Sequence, residues 1–277
     1  MNETLKRAIS GAVYIVLLLV SILYSTESFF VLFGVFLLIA VYEFSSLIQI
    51  NKIIPFLLAI VAYGGFSYIV FNKIKLDRTI DLAVLGITLL ISFKAIFFLF
   101  NHKQTEVSTF SKYIYLIGYI ILPFIIISKI PFGVKGYNPK IIIGIFILIW
   151  TNDTFAYIVG KSIGRHKLFE KISPKKTIEG FIGGVVFAVL ASFIISKYYI
   201  EGGKLAQNIW IGIALIVGIF GTTGDLIESK FKRIANVKDS GKIMPGHGGI
   251  LDRLDSVIFV APFVFLFYQI LNYVTFS

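Results

Sequence analysis

The 277-residue chain has no cysteine, which excludes a disulfide framework, a thiol nucleophile and any Cys-ligated metal. Charge is scarce: 15% of residues are Asp, Glu, Lys or Arg, against about 25% in soluble domains. No GxxxxGK[ST] segment occurs, so a Walker phosphate loop is excluded. Internal repeats and low-complexity tracts are also missing. Acidic residues are outnumbered, with 15 Asp and Glu to 26 Lys and Arg and a formal net charge of +11. Such an excess suits contact with anionic lipid. Nucleic acid is the competing reading of basic charge, and the hydropathy argues against it.

What the chain has in abundance is apolar sequence, 57% of all residues. Several runs reach the roughly 20 residues that a helix needs to cross a bilayer. The expected fold is an all-α, polytopic integral membrane protein with about nine transmembrane helices. The spans are expected near 8–24, 28–50, 53–72, 80–100, 113–131, 140–160, 180–200, 208–224 and 256–275. The first follows Lys6-Arg7 and lacks a small-x-small cleavage site before Ser25, so it reads as an uncleaved anchor. Two regions are expected. Residues 1–135 hold about five spans, and residues 136–277 form a catalytic transmembrane domain with two long polar loops, 161–179 and 225–255.

Lys and Arg set orientation. Nine spans put Lys6, Arg7, Lys52, Lys103, Lys112 and six basic residues from each long loop on one side, leaving eight for the other and Lys94 within a span. The rich side is expected to be cytoplasmic, in the cytoplasmic (inner) membrane. Both long loops fall on it and can converge on one site open to a cytosolic solute.

The 225–255 segment is the longest polar stretch and mixes acid with base. Asp252 and Asp255 are spaced i, i+3, so a helix starting near Leu251 puts both on one face of its first turn. Asp225 is expected to close the eighth helix at the same surface. Three carboxylates at one level, without cysteine, suggest a hard-cation site of the magnesium type, completed by water and phosphate oxygens. The plainer reading is that acidic residues at helix starts cap the helix. Lys230, Lys232, Arg233, Lys238 and Lys242 surround the carboxylates, as a site for phosphate plus metal requires. A solvated loop facing anionic headgroups would explain the lysines alone. His247, between Gly246 and Gly248-Gly249, is a candidate general acid, phosphate contact or hinge, its glycines permitting close ligand approach. In the 161–179 loop, Ser173-Pro174 reads as an N-cap and first helical residue. That would put Lys175, Lys176 and Thr177 where a helix N-terminus can hold phosphate.

Charges inside spans are functional candidates. Glu43, Lys94 and Asp153 each come to roughly 10 Å below the basic surface by helical rise. Glu43 is expected to pair with Lys94, leaving Asp153 to face the polar cavity with Asn152 and Tyr157 as hydrogen-bond partners. Snorkelling to the interface is the alternative for Lys94.

The run Ser229-x-Phe231-Lys232-Arg233-x4-Lys238-Asp239-x-Gly241-x3-Pro245-x-His247-Gly248-Gly249-x2-Asp252-Arg253-x-Asp255 resembles the signature of the phosphatidate cytidylyltransferase (CDP-diacylglycerol synthase) family. Ser173-Pro-Lys-Lys-Thr177 with Glu179-Gly180 and Gly183-Gly184, and Asp153-x2-Ala-Tyr157-x2-Gly160, are similar to further segments of that family. The likeness covers residues 140–277, and Met244 stands where the family usually has Leu, Ile or Phe. The resemblance implies a reaction joining CTP and phosphatidic acid to give CDP-diacylglycerol and pyrophosphate at the cytoplasmic face. It implies dependence on Mg²⁺, with room for a second cation, and a possible homodimer. By the same resemblance Asp225, Asp252 and Asp255 are metal-site residues; with His247 they are the catalytic candidates. Lys175, Lys176, Lys232, Arg233, Lys238, Arg253 and Asp153 become the substrate-binding candidates. Rivals are a CDP-archaeol synthase or CTP-dependent lipid kinase, and a membrane transporter, since intramembrane charge also marks ion pathways. The DG-x2-AR arrangement of CDP-alcohol phosphotransferases is absent.

Overall fold

The computed structural model describes residues 3–74, 77–101, 108–133, 136–201 and 203–276. Among these residues nine helices are long and apolar enough to cross a membrane. They are α1 (Glu3–Tyr24), α2 (Thr26–Leu47), α3 (Ile53–Phe71), α4 (Arg78–Phe100), α5 (Thr109–Lys129), α6 (Pro139–Ile163), α7 (Ile178–Tyr199), α8 (Lys204–Ile234) and α9 (Leu251–Phe276). The all-α polytopic expectation holds. Lys75, Lys103 and Lys135, part of the charge asymmetry, lie outside the described residues.

Helices α2, α5 and α9 form the centre, with 61% of each span buried, against 17% in α1. Chain breaks follow local capping chemistry. Ser25 separates α1 from α2 and forms a reciprocal cap with Ser28. Asp77 caps α4 through the amide of Thr79. Three π-helical stretches, Leu116–Ile121, Ile195–Tyr199 and Val217–Gly221, interrupt α5, α7 and α8. The hairpin of β1 (Phe132–Gly133) and β2 (Gly136–Tyr137) links α5 to α6.

Two boundaries differ from the sequence reading in ways that build the site. Helix α8 does not stop at residue 224 but runs on to Ile234, so Asp225 lies inside a helix rather than at its end. The extension is anchored by Phe231, 2% exposed, whose ring centroid lies 4.8 Å from that of Phe98, 5.1 Å from Phe44 and 5.3 Å from Tyr115. Hydropathy marks where the apolar sequence ends; an amphipathic helix continues wherever one face still packs.

The 161–179 segment is the second difference. Ser173 to Thr177 form a strand, β4, antiparallel to β3 (Lys167–Phe169), and the helix cap is Thr177, whose hydroxyl accepts from Gly180 N at 3.1 Å. Ser173-Pro174 therefore begins a strand, not a helix. Glu179 in the first turn of α7 accepts from the amides of Arg165 and His166, and its Oε1 lies 2.6 Å from His166 Nδ1, which ties the base of the hairpin to the helix. Helices α6 and α7 lie in close contact because glycine lines the crossing: a Cβ at Gly184 would come within 2.7 Å of the Asn152 carbonyl oxygen.

Candidate active site

On the α8 extension, Asp225, Glu228, Ser229 and Lys232 recur at i, i+3, i+4 and i+7 and share one face. That face meets the first turns of α9, where Asp252, Asp255 and Ser256 project. The crossing is tight: Ser256 Oγ donates to Gly221 O at 3.2 Å, and Tyr119 Oη to Gly224 O at 3.4 Å. The hairpin adds a cation from a third direction, Lys176 Nζ sitting 2.6 Å from Asp225 Oδ2. Ser229 Oγ donates to Asp225 Oδ1 at 3.2 Å.

Lys232 lies between two acids. Its Nζ is 2.6 Å from Asp252 Oδ1 and in ion-pair contact with Glu228 Oε2. The side chains of all three are nearly buried, at 11% exposure for Lys232, 6% for Asp252 and 1% for Glu228. Among the described residues Lys232 is the one cation in contact with Glu228, and no second donor reaches its carboxylate. Asp252 is fully engaged. Its Oδ2 accepts from Ser240 N at 2.8 Å, Ser240 Oγ at 2.9 Å and Gly249 N at 2.7 Å.

Asp255 is buried, at 8% exposure, and Oδ1 accepts from Ser256 N at 2.7 Å. It lies within electrostatic range of Asp225 and Asp153. Asp153 accepts from Asn152 Nδ2 at 3.2 Å, as expected, while Tyr157 is 66% exposed. Asp153 is within electrostatic range of Asp225, Lys176 and Arg253, so it belongs to the same charged cluster.

Other expected residues are placed differently. Lys230 points away from the carboxylates and closes the C-terminal end of α4, donating to Phe98 O, to Leu99 O at 3.4 Å and to Asn101 O at 2.7 Å, the favoured end for a cation. Arg233 Nε donates to Ile172 O and Nη1 to Val237 O, both at 3.3 Å, joining α8 to the hairpin. Arg253 Nη2 donates to His247 O at 3.0 Å. Lys175 and Lys238 are exposed. Among the described residues no three acidic or histidine side chains are grouped closely enough to hold a metal in this arrangement. Asp252 is instead turned to its four donors.

His247 is held by α1. Ser10 Oγ lies 2.8 Å from Nδ1, 2.9 Å from Pro245 O and 3.1 Å from Arg7 O, so the hydroxyl ties the ring and its loop to α1. Gly11 packs against the Nε2 edge. Burial, then Arg253 and Arg7, push the imidazole below its ordinary value. Gly246 and Gly248 adopt left-handed φ of +77° and +89°, so the turn itself requires glycine at both positions. The Glu43–Lys94 pair does not form. Lys94 Nζ donates to Ser111 Oγ at 3.2 Å and lies 5.4 Å from the Tyr115 ring, near the surface as snorkelling requires. Glu43 turns instead to the α9 N-terminus. Sequence reasoning gave no role to Glu228, Ser10 or Ser240. The i+3 and i−4 spacing of Glu228 to Asp225 and Lys232 carried a signal; the other two act across long stretches of chain that periodicity does not connect.

A cavity of about 370 Å³ opens beside this site, between the end of α4, the hairpin and the opposite face of α8, lined by Leu99, Leu168, Phe169, Lys171 and Arg233. A second, apolar cavity shares Leu99, Leu168 and Phe169 with it and runs along α8 past Leu226 to Phe220.

The nine helices among the described residues that are long and apolar enough to span a membrane, with an acid–base cluster where α8, α9 and the hairpin meet, define an integral membrane protein with a charged site. The chain belongs to the cytidylyltransferase family, whose model matches residues 5–271. It is 53% identical over 119 residues to the phosphatidate cytidylyltransferase of Staphylococcus aureus (strain COL), covering 42% of this chain and 44% of that protein. Over the same length and shares it is 50% identical to the protein of that name from Staphylococcus haemolyticus (strain JCSC1435) and 49% to that of Staphylococcus epidermidis (strain ATCC 12228). The chain thus spans less than half the length of the curated relatives it matches.

Proposed function

We propose that this protein condenses CTP with phosphatidic acid to give CDP-diacylglycerol and pyrophosphate, at the cytoplasmic face of the inner membrane. The observation that carries the reading is the acid–base cluster at α8, α9 and the hairpin, in a chain of the cytidylyltransferase family. Asp153, Asp225 and Asp255 share it with Lys176, while Lys232 is already committed to Glu228 and Asp252. Acid exceeds base there, since Lys232 divides its one charge between Glu228 and Asp252. That imbalance fits a cation. Mg²⁺ needs only one or two carboxylates, with water and substrate phosphate for the rest, and Asp225 and Asp255 would hold it. When bound it would neutralise charge on the triphosphate. No three-carboxylate cage is required.

In this reading a phosphatidate oxygen attacks the α-phosphorus of CTP in line. The new O–P bond forms as the bond to the β-phosphate bridging oxygen breaks, and pyrophosphate leaves with that electron pair. Phosphatidate is ionised at neutral pH, so no strong base is needed. Lys176 and the exposed Lys175 on the hairpin would meet the phosphates, and Asp225 would orient Lys176. The paired cavities, apolar along α8 and basic at Lys171 and Arg233, support an amphiphilic second substrate. A homodimer belongs to the same reading and is checked by crosslinking in membranes.

The test is incubation of the purified protein in lipid nanodiscs with CTP, phosphatidic acid and Mg²⁺, following pyrophosphate release and CDP-lipid by mass spectrometry. CTP-dependent formation of both products is expected. Release of CDP or inorganic phosphate without CDP-lipid, or solute flux through liposomes without CTP, would overturn the reading.

A further inference from the structure

Glu43 sits on α2, far along the chain from the charged helix ends, and is 2% exposed. Its Oε2 accepts from Leu251 N at 2.8 Å and lies 3.1 Å from Ser240 Oγ, and its Oε1 accepts from Ile250 N at 3.2 Å. Leu251 opens α9. The first amides of a helix have no partner within it and carry the positive end of its dipole. Usually a Ser, Thr, Asp or Asn just before the helix answers them. Here the preceding residues are Gly249 and Ile250, and the cap comes from another helix. The next amide back, Gly249 N, goes to Asp252.

Ser240 joins the two carboxylates, its hydroxyl lying 3.1 Å from Glu43 Oε2 and 2.9 Å from Asp252 Oδ2. A continuous chain of contacts therefore runs from Glu43 through Ser240 to Asp252 and Lys232. The loop backbone closes around Glu43: a Cβ at Gly241 would come within 2.7 Å of its carboxyl carbon, and one at Gly249 would strike the same group. Burying a carboxylate is costly unless its bonds are satisfied, and this chain bears that cost where the carboxylate pair enters the site.

We propose that Glu43 is a positioning residue for the site. By holding the first amides of α9 together with Ser240, it sets the depth and rotation of that helix, and so where Asp252 and Asp255 stand relative to Asp225. What those carboxylates do rests on the cytidylyltransferase reading; the clamp itself does not.

The test uses full-length protein in nanodiscs and the variants Glu43→Gln and Ser240→Ala. Amide exchange is read over the 239–252 peptide, and kcat and KM are read with CTP and phosphatidic acid. Glu43→Gln should speed exchange at Ile250 and Leu251 and lower kcat by about 10–100-fold, the effect typical of groups that orient a reacting side chain. KM for both substrates should stay within about threefold, since no substrate contact is removed. Ser240→Ala leaves both amide bonds in place, so it should keep protection at 250 and 251 yet lower kcat by about tenfold. Should Glu43→Gln fail to fold, Ser240→Ala decides the matter. Unchanged protection in Glu43→Gln, or unchanged kcat in either folded variant, overturns the proposal. A wild-type protein that makes no CDP-lipid sinks the cytidylyltransferase reading instead.

Discussion

Removing the ammonium of Lys232 while keeping its bulk, as in Lys232→Met, strips the shared cation from Glu228 and Asp252. All three side chains are at most 11% exposed, so water screens little of the interaction. Breaking a buried pair by deleting one partner costs about 3–5 kcal/mol, or roughly two to four powers of ten in the folding equilibrium. The two acids should not share that cost equally. Asp252 keeps three donors on Oδ2. Once Lys232 is gone, Glu228 has no other donor among the described residues, so most of the penalty falls on it. Adding Glu228→Gln to Lys232→Met should recover more than half of the loss, and adding Asp252→Asn much less. Proteins of this size often unfold irreversibly, so the assay is the rate of thermal unfolding in detergent at a fixed temperature, with the double variant compared against the two singles. A Lys232→Met protein as durable as wild type would refute the reasoning. So would a Glu228→Gln substitution whose effect simply adds to the loss.

Asp252→Asn should lower both turnover and stability, the latter by about 1.5–3 kcal/mol, because its charge-assisted bonds to Lys232 and the loop weaken; parallel melting and activity measurements check this. Asp255→Asn should abolish most turnover but leave stability unchanged or raised, since it relieves repulsion from Asp225 and Asp153; a fall in unfolding temperature larger than that of Asp252→Asn would contradict the assignment. His247 is held below its ordinary value near 6.5, so the unfolded chain binds the proton first as pH drops. Its contribution is complete above about pH 6.5 and is lost as pH falls from there through the folded value, and His247→Gln should flatten this limb in melts run at about pH 7.5 and about pH 5.5. For sidedness, single cysteines at the exposed Ser162 and Lys242 should resist an impermeant thiol reagent in intact cells and react after permeabilisation. Labelling from outside would reverse the topology.

Composition and patterning alone determined that the chain crosses the membrane about nine times as helices, because burying unpaired backbone in lipid is prohibitive and apolar runs of this length have no other stable form. They also brought Asp252 and Asp255 to one helix face, since i, i+3 spacing is a property of the helix itself. What each charge does was decided by tertiary structure. Lys230 and Lys232 are two residues apart, yet one closes α4 and the other bridges two acids, because the helix turns them to different faces and only the neighbours define what each face meets. The continuation of α8 past residue 224 depended on a pocket for Phe231 built from α2, α4 and α5. Glu43 and Ser10 reach the signature loop across more than 190 residues of sequence, and no periodicity records such a meeting. In a chain this apolar, hydropathy specifies that a helix is buried in the membrane but leaves its rotation undetermined. Rotation is settled only when helices pack, and with it the partner of every intramembrane charge.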